Sequence, residues 1–163
     1  MHKITPFLWF GSQAEEAASF YVSIFKNSKL GAVSRYGKEG YEVHKQPEGR
    51  AMTVQFELDG QAFTALNGGA AFSFNQSVSF QVHCDTQQEV DHYWNALSAG
   101  SDPKAQQCGW LKDKYGLSWQ IVPRVLPKLL SGPDKQKSGR VMKALLQMKK
   151  HDIATLTRAC EQN

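Results

Sequence analysis

ITPFLWFGSQAEEAASFYVSIF (4–25) and VSFQVHCDTQQEVDHYWNAL (78–97) carry one pattern twice. Each opens on a short apolar run, and each places a hydroxyl residue three positions before a glutamate (Ser12 with Glu15, Thr86 with Glu89). That spacing is a helix-starting capping box. Each then sets apolar or aromatic side chains on one helical face, at 17, 20, 21 and 24 in the first copy and at 90, 93, 94 and 97 in the second. The helices are offset by 73 residues and the strands by about 74. Strand, cap and face therefore recur together, which marks an internal repeat.

Both copies continue as strands. SKLGAVSRY (28–36), a polar loop (38–50) and MTVQFELDGQAFTALNGG (52–69) follow the first helix, and Asp59-Gly60 is a hairpin turn. After the second helix come Asp102-Pro103, a short segment at 104–107, and CGWLKDKYGLSWQIVP (108–123). In the last stretch two apolar runs flank Lys112–Tyr115 and Gly116, a second hairpin. The chain thus reads as an α+β protein of two βαβββ modules, 1–69 and 77–125, joined by 70–76. A helical appendage, 126–163, follows; its apolar Leu129, Leu130, Met142, Leu145, Leu146 and Met148 predict a face packed on its own subunit or a partner.

Composition narrows the function classes. The 163 residues are 41% hydrophobic, with nine Phe, five Tyr and four Trp, enough for a packed interior. No run approaches the length of a membrane span, and the N-terminus lacks the order of a signal peptide. Cys84, Cys108 and Cys160 are widely spaced and form no C-x-x-C pair, so neither a zinc site nor a disulfide framework is indicated. A cytoplasmic protein with reduced thiols is expected. The appendage carries eight Lys or Arg against three Asp or Glu. It lacks the interleaved aromatics that stack bases, so nucleic acid is not expected as a partner. No nucleophile elbow is present.

Two tandem βαβββ units, with Phe20-Tyr21 late in the first helix, resemble the vicinal oxygen chelate (glyoxalase/bleomycin resistance/dioxygenase) superfamily. Its PhnB-like, 3-demethylubiquinone-9 3-methyltransferase-like branch is the closer match. The resemblance is carried by ITPFLWF, AEEAASFYVSIF, FELDGQAFTALNGG, VSFQV, WLKDKYGLSWQIVP and RVMKALLQMKKHDIATL. It implies a curved eight-stranded mixed sheet with a cleft, and a homodimer. The methyltransferase label is not supported by a glycine-rich turn for an adenosyl cofactor, since the one glycine pair, Gly68-Gly69, follows a hairpin.

Superfamily enzymes hold a divalent metal on His or Glu from the first and fourth strands of each module. Matched to that pattern, the first-strand positions are Pro6 and Ser79 and the last is Gln120; no Asp, Glu or His occurs from 61 to 82. The expectation is a cleft without metal or other cofactor, binding a small, partly apolar molecule, with catalytic activity left open. The alternative is a metal-dependent glyoxalase- or dioxygenase-type enzyme that recruits His44 from the loop. Period-two alternation sends Leu8 and Phe10 to the cleft, with Phe7 and Trp9 under the helix, and sends Ser79, Gln81, His83, Ser118 and Gln120 to the cleft with Trp119 in the core. Asn67 and Trp110 are added as cleft-lining candidates, and His83 is the one candidate general base. His44, His92 and His151 read as surface residues.

Overall fold

The computed structural model describes residues 3–162. The chain divides into two compact units, Met1–Phe74 and Asn75–Asn163.

The first unit holds β1 (Phe7–Phe10), α1 (Ala14–Ile24), β2 (Lys29–Arg35), a single turn α2 (Tyr41–His44), β3 (Ala51–Leu58) and β4 (Gln61–Asn67). Its sheet runs β1-β4-β3-β2, with β1 parallel to β4 and the rest antiparallel. The Asp59-Gly60 turn takes positive φ at both residues, 46° and 77°. That is the backbone of a two-residue hairpin whose twist matches its strands. Helix α1 lays Ala14, Ala17, Ala18, Tyr21 and Ile24 on the sheet. The three alanines let the helix approach closely, and Tyr21 stacks over Phe56, which stacks in turn on Phe63 at 5.2 Å between ring centroids.

The second unit holds β5 (Phe80–Cys84), α3 (Gln87–Ser98), β6 (Trp110–Lys112), β7 (Ser118–Pro123), α4 (Leu126–Leu130), α5 (Lys135–Leu145) and α6 (Ile153–Glu161). Its sheet runs β5-β7-β6. Val90, Trp94 and Leu97 of α3 are buried, as are Leu111, Trp119 and Ile121 of the sheet. The described residues therefore form sheets of four and three strands. The segment at 104–107, expected as a strand, is instead a 3₁₀ turn, Pro103–Ala105. Asp102 caps it by accepting from the Lys104 N–H at 2.9 Å, and proline at its first position has the φ such a turn needs. Only Gln107 makes a β-bridge there, to Trp110.

The C-terminal helices close over their own core of Leu126, Val141, Leu145 and Leu156, joined by Val122, Leu129, Leu130 and Met148. Met142 and Leu146, expected in the packed face, are exposed. The buried stripe of α5 is Val141 and Leu145, one turn apart, with partly buried Met148 packed on it from beyond the helix end, and Met142 and Leu146 point away from it.

The two helix starts separate a local from a tertiary cap. Thr86 is the N-cap of α3, accepting from the Glu89 N–H at 3.2 Å, while Glu89 reaches back to the Asp85 N–H at 2.7 Å. Helix α1 begins at Ala14 with Gln13 as N-cap, and no side chain of the cap residue bonds to it. Its first N–H is taken by Asn67 Oδ1 at 2.8 Å, from 53 residues away. Thr86→Ala is therefore expected to cost about 0.5–2 kcal/mol, whereas Ser12→Ala should stay within about 0.5 kcal/mol. Urea midpoints of the two variants check the assignment; equal losses would show that Ser12 caps α1 after all.

Candidate functional site

The two faces of the second unit's sheet differ in chemistry. Strand register pairs Gln81 with Gln120 and Trp110 with Gln120, so these three side chains share one face, with Trp119 and Ile121 on the face toward α3. Gln81 donates from Nε2 to Gln120 Oε1 at 3.2 Å, and Gln120 donates from Nε2 to Ser79 Oγ at 2.8 Å. The Gln120 amide is thereby held at both ends in a Gln81–Gln120–Ser79 relay. Two further polar atoms belong to this face by alternation, Trp110 Nε1 and Ser118 Oγ. Both are buried without a hydrogen-bond partner, and Ser118 is wholly inaccessible. His83 lies farther along the same face, exposed and paired in register with Val122. Asp85, the nearest carboxylate in sequence, is engaged by Arg124 at 3.2 Å.

The face turns over into a cavity of about 400 Å³ lined by Gln76, Lys104, Gln106, Gln107, Cys108 and Trp110. Cys108 and Gly109 both take positive φ there, 49° and 79°. Beyond β6 the hairpin is fixed by Asp113, which is buried and accepts from the Tyr115 and Leu117 N–H groups and from Trp119 Nε1 at 2.9 Å. The Cys84 thiol, on the opposite face, is pushed up to about 12 by burial, with Glu89 and Asp85 adding to the effect. It therefore stays protonated and is no nucleophile.

In the first unit the expected placements of Leu8, Phe10, Phe7, Trp9 and Asn67 are corrected. Leu8 and Phe10 do not line a cleft: they pair with Ala65 and Asn67 and are buried on the side of α1. Phe7 and Trp9, expected under the helix, take the opposite face, with Phe7 exposed. A continuous apolar run such as FLWF has no alternation to give its phase, so pairing with β4 decides it. Asn67 is 2% exposed and structural. Besides capping α1, it donates from Nδ2 to the Ala51 carbonyl at 2.9 Å, and its own carbonyl takes the Tyr36 hydroxyl at 2.7 Å. His44 is tied into its loop: Nδ1 accepts from the Gln46 N–H at 2.9 Å and Nε2 donates to the Glu39 carbonyl at 3.1 Å. His151, read as a surface residue, is 2% exposed.

A superfamily-type metal does not fit these donors. The face positions that correspond through the repeat are Phe7 and Thr64 in one unit and Gln81 and Gln120 in the other, by their register pairings. None is His or carboxylate, and the Gln120 amide is already committed. Among the described residues no three His, Cys, Asp or Glu side chains group as metal ligands. The one glycine pair serves packing: a Cβ on Gly68 would lie 2.3 Å from the Trp9 indole, and the Gly69 carbonyl accepts from Trp9 Nε1 at 2.9 Å. No described helix is long and apolar enough to cross a membrane.

Comparison with known proteins places this architecture. The family described as 3-demethylubiquinone-9 3-methyltransferase matches residues 2–122, leaving the C-terminal helices, which include part of the sequence resemblance, outside the match. No curated protein matches the chain. A PhnB protein from Bacillus cereus is 34% identical over 75% of this chain and 99% of its own, with a TM-score of 0.64. Protein PA1353 from Pseudomonas aeruginosa is 19% identical over 76% and 98%, TM-score 0.55. The fosfomycin resistance protein FosX from Listeria monocytogenes is 15% identical over 80% and 98%, TM-score 0.52. The chain belongs to the PhnB-like family, whose description is 3-demethylubiquinone-9 3-methyltransferase.

Proposed function

We propose that the polar face of the second unit binds a small, partly apolar molecule bearing a carbonyl or hydroxyl oxygen, without a metal ion. The observation that carries this reading is the pair of buried polar atoms, Trp110 Nε1 and Ser118 Oγ, left without partners beside the Gln81–Gln120–Ser79 relay. Leaving such groups unpaired costs about 1–3 kcal/mol each, and an oxygen acceptor opposite the indole N–H would recover part of that cost. The relay offers neutral donors and acceptors, which suits an uncharged oxygen group, and the Trp110 ring supplies apolar area. His83 is the residue of the face that could move a proton. The homodimer and the single curved sheet implied by the family resemblance, and the cytoplasmic location expected from the cysteine spacing, belong to the same proposal; light scattering on the full chain tests the dimer.

The binding test is a thermal-shift series with small aromatic and aliphatic carbonyl compounds, beside manganese, zinc and nickel salts. Binding to the native state alone raises the melting temperature. Some carbonyl compounds should raise it and the metals should not. Trp110→Phe keeps the ring and removes the N–H, so affinity should fall about 2- to 10-fold, the worth of one neutral hydrogen bond. Shifts that survive both Trp110→Phe and Gln120→Ala unchanged place the ligand elsewhere. Metal at one per chain in purified protein would end the metal-free reading.

A further inference from the structure

The C-terminal helices lie beyond the residues matched by the family, and one short strap fastens them to the second unit's sheet. In residues 147–152, the Met148 and Lys149 carbonyls accept from the Cys108 and Gly109 N–H groups at 2.8 and 2.7 Å. His151 Nδ1 sits 2.9 Å from the Ile121 carbonyl, while the Ile121 N–H donates to the Gly109 carbonyl. A side chain thus completes the ladder of β7 where β6 has ended. Gln87 of α3 clamps the strap from the other side, donating to the His151 carbonyl at 3.1 Å and accepting from the Ile153 N–H at 2.9 Å. Lys150 pairs with Asp91 at 2.6 Å.

The protonation state of His151 follows from these partners. A carbonyl can only accept, so Nδ1 carries the hydrogen and Nε2 keeps its lone pair. Nε2 is buried and has no partner. The ring fits because residue 109 is glycine: a Cβ there would lie 2.2 Å from His151 Cε1. The charged and titratable groups around it are committed elsewhere. Asp91 is held by Lys150 and Gln87. Asp152 caps α6 through the Thr155 N–H. Lys149 reaches the Pro103 carbonyl, and the Cys108 thiol faces the Leu145 carbonyl. No carboxylate stands ready to stabilise an imidazolium.

We propose that His151 is an acid-sensitive latch: a proton on Nε2 places a charge without a counter-ion in this buried site and releases the strap, freeing α4–α6 from the sheet before the rest of the unit unfolds. Burial holds the His151 imidazole below the ordinary histidine range, outweighing the Ile121 and Cys108 carbonyls that favour its protonated form. The closed form therefore binds fewer protons than the open one. The latch is fully closed above about pH 6.5, the range of an exposed histidine, and weakens as pH falls below it. Each pH unit there lowers the closed-to-open ratio by up to about tenfold until the closed form itself takes the proton. Released strap carbonyls also free Cys108 and Gly109, whose positive φ aims Trp110. The latch stands on the strap's own geometry and holds whether or not the polar face binds a ligand.

Hydrogen exchange on the full-length protein tests it, at pH 7.5 and 5.5 with rates corrected for intrinsic exchange. Opening of Cys108, Gly109 and Ile153 should become more populated at pH 5.5, by up to about tenfold, with α1 and the first unit unchanged. In His151→Gln, which cannot acquire charge, the opening should be the same at both pH values. Unchanged protection in the native chain, or the same pH response in His151→Gln, overturns the latch. If that variant does not fold, the imidazole proton resonances of the native chain decide. Titration concurrent with loss of strap protection supports the latch, and titration with the strap still closed overturns it.

Discussion

Asn67→Ala lowers the unfolding free energy by about 2–6 kcal/mol, because two buried groups lose their partners and each unpaired group costs about 1–3 kcal/mol. The Ala14 N–H at the start of α1 loses Oδ1, and the Ala51 carbonyl at the start of β3 loses Nδ2. Asn67→Asp is the informative companion. It keeps an acceptor for Ala14 but turns a carboxylate oxygen toward the Ala51 carbonyl, so it should recover only part of the loss. Guanidinium denaturation of both variants measures this. A cleft-lining asparagine would behave otherwise, changing ligand affinity at unaltered stability, and that result would return Asn67 to the binding face.

The second large effect is expected at Gly109. Alanine there meets the His151 ring at 2.2 Å while the backbone stays at φ 79°. Overpacking a filled site costs about 1–3 kcal/mol, and a left-handed non-glycine residue about 1–2 kcal/mol. The sum is about 2–5 kcal/mol, concentrated in the second unit because the ring, anchored on Ile121, cannot swing away without losing that bond. Gly109→Ala combined with His151→Ala removes the collision, so the pair should be less destabilised than the sum of the single variants. Strict additivity in a denaturation cycle would mean that glycine and imidazole do not pack against each other.

The repeat was legible because it rests on local rules. Helix α3 keeps Val90, Trp94 and Leu97 buried at the spacing that named its face, and Thr86 caps it from within its own turn. Asp59-Gly60 sets its hairpin through backbone preference alone. The polar relay was legible in part: alternation put Ser79, Gln81 and Gln120 on one face, and their hydrogen bonds join them there. Alternation sent Ser118 to the same face, but that its hydroxyl is buried there without a partner is visible only in the tertiary structure.

What the sequence by itself determined is therefore the α+β repeat, its helix faces, its tight turns and the amide face of β7. All of these are short-range consequences of side-chain period and backbone φ. Tertiary structure alone decided the remainder. The phase of FLWF follows from pairing with β4, which buries Leu8 and Phe10. The cap of α1 comes from Asn67, which satisfies the Ala14 N–H where a local hydroxyl was expected. The segment at 104–107 gives up its strand to a proline-started turn. His151, in a polar tail beside two lysines, is drawn into the interior by a carbonyl 30 residues away and by the space that Gly109 leaves empty. In each case the deciding partner is far along the chain, and burial made that partner's hydrogen bond or packing surface outweigh the local preference.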